Sequence, residues 1–303
     1  MDSVPTLADL GDLPRTGTAL AVLGHPIRHS ISPAMHNAAL AAMARSRPEF
    51  ASWAYGRFDV PPADLPTALS RLHALGYRGL NLTVPHKVLA FGSMAEIDPA
   101  ARPIGAVNTL RWTPQGWHGF NTDGYGLATA IGETLGLALQ GAHVVLLGAG
   151  GAARGAAVEC LQRGCASLWI ANRTQENLDT LLAVLRPLAG TIPLHGFPPD
   201  RLPGGLPAGS LVVNATSAGL KPQDAPPIDL ATVPSPAGVY DMIYNPPVTP
   251  LLAQAARLGL PHANGLSMLI HQGARALEIW SGASVPVAAM RQAAEQALGR
   301  THP

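Results

Sequence analysis

Lysine is nearly absent from this 303-residue chain, where Lys87 and Lys221 stand against 18 arginines. Arginine keeps its proton at any physiological pH, whereas a lysine withdrawn from water can approach neutrality and hand a proton on. A lysine inside the polar segment NLTVPHK (Asn81 to Lys87) is therefore a candidate acid/base residue. Lys221 lies in a proline-rich stretch, GLKPQDAPP, with no polar constellation around it in the sequence. It is expected to be incidental.

Three more polar clusters could do chemistry. In HSISPAMHN, Ser30 and Ser32 are two residues apart and Pro33 opens a helix. Side chains at i and i+2 of an extended segment point the same way, so two hydroxyls could converge on one carboxylate beside a helix N-terminus. Ser32 before Pro33 reads equally well as an ordinary N-cap. GAVNT contributes Asn108, and NTDG contributes Thr122 and Asp123. The last of these is also a turn signature, so Asp123 could simply stabilise a loop.

A cofactor signal lies between these clusters and the C-terminus. GAGGAARG (Gly148 to Gly155) follows an apolar strand and opens a helix, fitting a G-x-G-x-x-A dinucleotide turn. Gly148 would make the tight turn, Gly150 would let the backbone approach a pyrophosphate, and Ala153 would allow close packing. About 24 residues after Gly148, where an NAD enzyme usually carries Asp or Glu, the chain reads Asn172, Arg173, Thr174. A guanidinium there can hold a 2′-phosphate, so NADP is favoured over NAD, with Glu176 nearby as a counterweight.

These residues need a scaffold, and the apolar pattern supplies one. Strand and helix segments alternate from TALAVLG (Thr18 to Gly24) through PAMHNAALAAMA, SWAYGRFDV, PADLPTALSRLHALG and RGLNLTV, which predicts a largely parallel sheet covered by helices. A second run begins at AHVVLLG, with strands at SLWIANR, TIPLHG, SLVVNAT and GVYDMIY. Two C-terminal helices follow, LSMLIHQGARALEIWSG and VPVAAMRQAAEQALG. Residues 1–17 read as a loose leader. The fold class expected is α/β with two domains.

Composition narrows the partners. Hydrophobic residues make up 47%, charged residues 13%, and the net charge is +1. No basic run marks a nucleic-acid or membrane surface. Neither a signal segment nor an 18-residue apolar span is present, so a soluble cytoplasmic protein is expected. Cys160 and Cys165 lack two further ligands at matching spacing, so they read as reduced core thiols and no metal site is expected.

Taken together, the motifs resemble the shikimate dehydrogenase family over nearly the whole chain. The resemblance runs in order through GHPIRHSISPAMHN, NLTVPHK, IGAVNT, GFNTDG, VVLLGAGGAARG, NRT, VVNATSAGL, DMIYNPPVTPLL and NGLSMLIHQGA. It implies reversible reduction of 3-dehydroshikimate to shikimate with NADPH, in aromatic amino-acid and chorismate biosynthesis. It implies an N-terminal α/β substrate domain with a mainly parallel sheet (1–122 plus 265–303) and a Rossmann-type NADP domain (123–264), the C-terminal helices returning to the first domain.

Residue by residue, the resemblance makes Lys87 and Asp123 the catalytic pair, Asp123 also binding substrate. Ser30 and Ser32 match carboxylate-binding hydroxyls, Thr83, Asn108 and Gln272 match groups on the ring hydroxyls, and Tyr244 matches an aromatic lining residue. Gly148, Ala149, Gly150, Gly151 and Ala152 match the pyrophosphate loop, and Asn172, Arg173 and Thr174 the adenosine phosphate site. Met242 and Gly265 match positions near the nicotinamide. Two positions depart from the family pattern: Asn177 replaces a frequent second Arg, and Asn264 a usual acidic residue. An NAD-using quinate/shikimate dehydrogenase shares most of these motifs, and a non-catalytic ligand sensor of the same fold is the more distant alternative. The protein is expected to act as a monomer or homodimer on a small-molecule substrate.

Overall fold

The computed structural model describes residues 4–11, 17–221 and 223–300. The chain divides into two compact units, one running up to Thr122 and resuming at Gln272, the other spanning Asp123–His271.

The first unit is built on β1 (Thr18–Gly24), α1 (Ser32–Ala44), β2 (Trp53–Asp59), α2 (Leu65–Ala74), β3 (Gly79–Leu82), a short α3 (His86–Leu89), β4 (Glu96–Ile97), β5 (Thr109–Thr113) and β6 (Gly116–Phe120). Its six strands lie in the order β2-β1-β3-β5-β6-β4. β1 runs parallel to β2 and β3, and β4 parallel to β6, but β5 is antiparallel to both of its neighbours. The sheet is thus mixed. β5 and β6 form a hairpin that the alternating pattern does not reveal, because both strands are short and β6 carries two glycines in five residues.

Leu23, Leu80, Leu82, Leu110 and Trp117 from this sheet pack with Leu69 and Leu72 of α2 in one apolar core. The leader is more ordered than expected where it is described. Thr6 bridges to Asp59 in parallel fashion, the Asp59 N–H donates to the Pro5 carbonyl at 3.0 Å, and Arg71 donates to the Leu7 carbonyl at 2.8 Å. Positions 1–3 and 12–16 of that leader lie outside the described residues.

The second unit contains α4 (Asp123–Leu135), β7 (His143–Leu147), α5 (Gly151–Gln162), β8 (Ser167–Ala171), α6 (Gln175–Ala189), β9 (Leu194–Phe197), β10 (Leu211–Asn214), β11 (Gly238–Asp241), α7 (Pro250–Arg257) and β12 (His262–Ala263). All strands are parallel, in the order β12-β11-β10-β7-β8-β9. The strand order reverses between β7 and β10, which is the doubly wound arrangement with its ligand crevice at that switch point.

Helix α8 (Leu266–Ser281) belongs to the second unit up to His271 and to the first from Gln272; α9 (Val287–Ala297) follows it. In the first unit Trp280 is fully buried, and its indole N–H donates to the Leu110 carbonyl at 2.9 Å, which fastens the end of α8 to β5. Helix α9 packs against α1. Both cysteines are buried and free, and burial pushes the Cys160 thiol up and the Cys165 thiol to about 11. No helix among the described residues is long and apolar enough to cross a membrane.

Candidate active site

Strand register brings most of the first unit's candidate residues to one end of its sheet. Leu23 near the end of β1 pairs with Leu82 at the end of β3. Antiparallel pairing then sets Asn81 opposite Thr109, and Thr109 opposite Phe120. The segments leaving β1, β3 and β6 and the segment entering β5 therefore share one edge. Ser30 and Ser32 lie on the first, Thr83 and Lys87 on the second, Thr122 on the third and Asn108 on the fourth.

Backbone bonds lock these segments together. The Thr83 N–H donates to the Leu23 carbonyl at 2.9 Å, His25 to Val84 at 3.2 Å, and Val107 to Lys87 at 2.9 Å. Lys87 sits in the first turn of α3, half-buried.

Asn108 is the hub of this edge. Its carboxamide oxygen accepts from the Thr122 N–H at 2.9 Å and from the Thr109 hydroxyl at 2.9 Å, while its NH2 donates to the Thr122 hydroxyl at 3.1 Å and to Gln272 Oε1 at 3.4 Å. Asn81 extends the network: it donates to the Asn108 carbonyl and the Thr109 hydroxyl, and accepts from the buried Tyr55 hydroxyl at 2.7 Å. A network satisfied this fully holds its amides in one orientation. Tyr55 and Thr109 are not legible in the sequence. A lone Tyr or Thr in a strand carries no spacing signal, and only the pairing register exposes them.

The serines behave differently from the expectation. Ser32 is the first residue of α1; the cap position belongs to Ile31, whose side chain makes no capping bond. It is Ser30 whose hydroxyl oxygen accepts from the Ser32 N–H, at 3.4 Å. Beneath them, His36 Nδ1 donates to the Ser32 carbonyl at 2.9 Å, and its ring stacks on Tyr55 at 4.0 Å. Burial lowers the His36 pKa to about 4, so the imidazole is neutral. Hydroxyls, carboxamides and one ammonium along a single edge suit a small polyhydroxylated anion.

In the second unit a cavity of about 650 Å³ opens beside the β7–α5 turn. Its lining includes Gly148, Ala149, Gly150, Asn172, Arg173 and Thr216. Gly148 has φ +113°, and a Cβ there would meet Thr216 Cγ2 at 3.0 Å, so the turn needs glycine. A Cβ on Gly150 or Gly151 would meet nothing within 4 Å, which leaves room above the α5 N-terminus with Ala152 in its first turn. Ala153 is fully buried, as close packing of α5 requires. Open backbone, a helix N-terminus and a cavity of nucleotide size fit a dinucleotide.

Just past the end of β8, Asn172 donates to the Thr174 carbonyl at 2.8 Å and braces the segment that carries Arg173, whose side chain is exposed. Lys221, read as incidental, lines this same cavity. Among the described residues, no three His, Cys, Asp or Glu side chains cluster as a metal site would require.

Met242, Tyr244 and Gly265 lie past the end of β11, also in the second unit. The Met242 N–H donates to the Asn214 carbonyl at 3.0 Å, and a Cβ on Gly265 would collide with the Met242 carbonyl. Asp123, the first residue of α4, is half-buried. Asn264 donates to the Pro247 carbonyl at 3.0 Å and accepts from the Leu266 N–H at 3.1 Å, so its side chain braces the start of α8.

The chain matches two family models, the shikimate dehydrogenase substrate binding domain over residues 22–110 and the shikimate 5′-dehydrogenase C-terminal domain over 265–295. It is 41% identical to a protein named shikimate dehydrogenase (NADP(+)) from Symbiobacterium thermophilum, across 93% of this chain and 95% of that one. The structure of shikimate 5-dehydrogenase from Thermus thermophilus in complex with NADP(H) and shikimate superposes with a TM-score of 0.80 at 34% identity, covering 92% of this chain and 99% of that one. A 5-ketofructose reductase from a Gluconobacter species superposes with a TM-score of 0.81 at 31% identity, covering 93% and 99%. With two family models matched and 41% identity held across nearly its whole length, the chain belongs to the shikimate dehydrogenase family.

Proposed function

We propose that this protein is an NADP-dependent shikimate dehydrogenase that reversibly reduces 3-dehydroshikimate to shikimate. It serves aromatic amino-acid and chorismate biosynthesis in the cytoplasm, as a monomer or homodimer. The observation that carries the reading is the polar edge of the first sheet, where Asn108 and Gln272 are hydrogen-bonded beside the segment bearing Thr83 and Lys87.

NADPH, when bound, supplies a hydride to the ketone carbon. Ketone reduction moves the carbonyl electron pair onto oxygen, and Lys87 donates a proton there to complete the alcohol. In the reverse direction the same amine takes the hydroxyl proton. Asp123 is the second member of the acid/base pair and binds a ring hydroxyl. The Ser30 and Ser32 hydroxyls hold the substrate carboxylate, while Thr83, Asn108 and Gln272 hold the ring hydroxyls. Tyr244 lines the ring. These contacts present one ring face for reduction and turn an encounter into an oriented complex. Gly148 to Ala152 hold the pyrophosphate, Asn172 to Thr174 the adenosine phosphate, and Met242 and Gly265 flank the nicotinamide.

A crossed assay tests the reading: NADPH and NADH against 3-dehydroshikimate, 3-dehydroquinate and 5-ketofructose. The highest kcat/KM is expected for NADPH with 3-dehydroshikimate. A higher value for 3-dehydroquinate with NADH would assign the chain to the NAD-using sister enzymes. A higher value for 5-ketofructose would assign it to the sugar reductase with the same fold.

A further inference from the structure

A 2′-phosphate carries between one and two negative charges, and the segment after β8 offers it little net positive charge. Arg173 is the only cation there, and the first turn of α6 that follows carries Glu176 and Asn177. Arg173 and Glu176 together leave that segment without net side-chain charge. A second cation beside the phosphate would come from another element.

The cavity beside Arg173 supplies one. The loop leaving β10 forms its opposite wall, through Thr216, Ser217, Ala218, Leu220 and Lys221. That loop is held by short-range bonds. Asn214 Oδ1 accepts from the Thr216 N–H at 3.0 Å and from its hydroxyl at 2.7 Å, and the Thr216 hydroxyl accepts from the Ala218 N–H at 3.1 Å. Asp224 Oδ2 accepts from the Gly219 N–H at 2.9 Å and from the Lys221 N–H at 3.1 Å, fixing the backbone on which the Lys221 side chain is mounted. Arg173, Lys221 and Asp224 are the charged residues of the lining. With Lys221 the lining carries a net positive charge; without it Arg173 and Asp224 cancel. Lys221 therefore sets the sign of the side-chain charge around this cavity, in addition to the α5 N-terminus that opens onto it.

We infer that Lys221 supplies the second cation for the 2′-phosphate of NADP, reaching the cavity from the β10 loop opposite Arg173, and so helps set the choice of NADP over NAD. The inference rests on the cofactor assignment proposed above. It makes one of the chain's two lysines a specificity determinant.

The test uses the intact enzyme and two fragments that differ only in that phosphate, adenosine 2′,5′-bisphosphate and adenosine 5′-monophosphate, with affinities measured by calorimetry. The wild type should prefer the bisphosphate. Lys221→Ala should reduce that preference about fivefold, as expected of one exposed ion pair. Lys221→Arg should restore it. The kcat/KM ratio of NADPH to NADH should follow the same order, and Arg173→Ala should reduce it further. A Lys221→Ala enzyme that keeps the wild-type preference overturns the role of Lys221 and leaves the cofactor assignment standing. Equal weakening of both fragments overturns it too, since it would put the ammonium on a phosphate common to both. A wild type with no preference overturns the NADP assignment itself.

Discussion

Asn214 Nδ2 donates to Asp241 Oδ1 at 3.0 Å, joining the last residue of β10 to the last residue of β11. The same carboxylate accepts from the Thr249 hydroxyl at 2.6 Å and from the Ile243 N–H at 3.0 Å. Burial raises the Asp241 pKa, and these three bonds act against that rise. One buried side chain therefore sets the exits of both strands, and with them the loops that carry Lys221 and Tyr244.

Asp241→Ala should lower unfolding free energy by about 2–5 kcal/mol, because it strands three buried donors without an acceptor. Chemical denaturation measures this directly. A loss under about 1 kcal/mol would mean that water or neighbouring groups replace the carboxylate, and its bracing role would be abandoned.

Lys87→Ala should reduce kcat by about 10²- to 10⁴-fold while shikimate affinity stays within about tenfold, since the amine acts on charge that develops during reduction. Lys87→Arg should fail as well, because guanidinium does not release its proton. Near-normal turnover in the Arg variant would rule out proton donation by this residue.

Ser30→Ala and Ser32→Ala should each weaken substrate binding by about 1–3 kcal/mol, the loss of a hydrogen bond to a charged carboxylate. Stability should divide them the opposite way from a cap-based expectation. The Ser32 side chain caps nothing, so its loss should change stability by less than about 0.5 kcal/mol. Ser30 should cost slightly more, through its bond to the Ser32 N–H. Unaltered Michaelis constants with clear stability losses in both variants would make the pair structural.

His36 should tie stability to pH. Its folded pKa of about 4 lies below its ordinary value of 6.5, so between those values the unfolded chain binds the extra proton. Stability is full above 6.5 and falls as pH drops toward 4, by at most about 1.4 kcal/mol per unit. Burial also lowers the pKa of His86, which adds in the same direction. Unfolding free energies at pH 7.5 and 5 should therefore differ less in His36→Gln than in the wild type. Identical differences would show that His36 does not drive the dependence.

Sequence alone settled what local chemistry can settle. The glycines of GAGGAARG announce a turn because Gly148 needs positive φ, and the apolar runs announce parallel strands because strands buried on both faces tolerate little else. The order of nine motifs along the chain also carries the resemblance to the family. Tertiary structure decided what depends on partners distant in the chain. The β5–β6 hairpin added antiparallel pairings to a sheet expected to be mainly parallel. The placing of α1's first turn moved the helix-end bond from Ser32 to Ser30. Pairing register alone joined Tyr55, Asn81, Thr109 and Asn108. Lys221 looked isolated because its polar neighbours in the sequence are few, yet the β10 loop carries it to the cavity wall shared with Arg173, 48 residues earlier. Such proximity is a property of strand order, which no local pattern encodes.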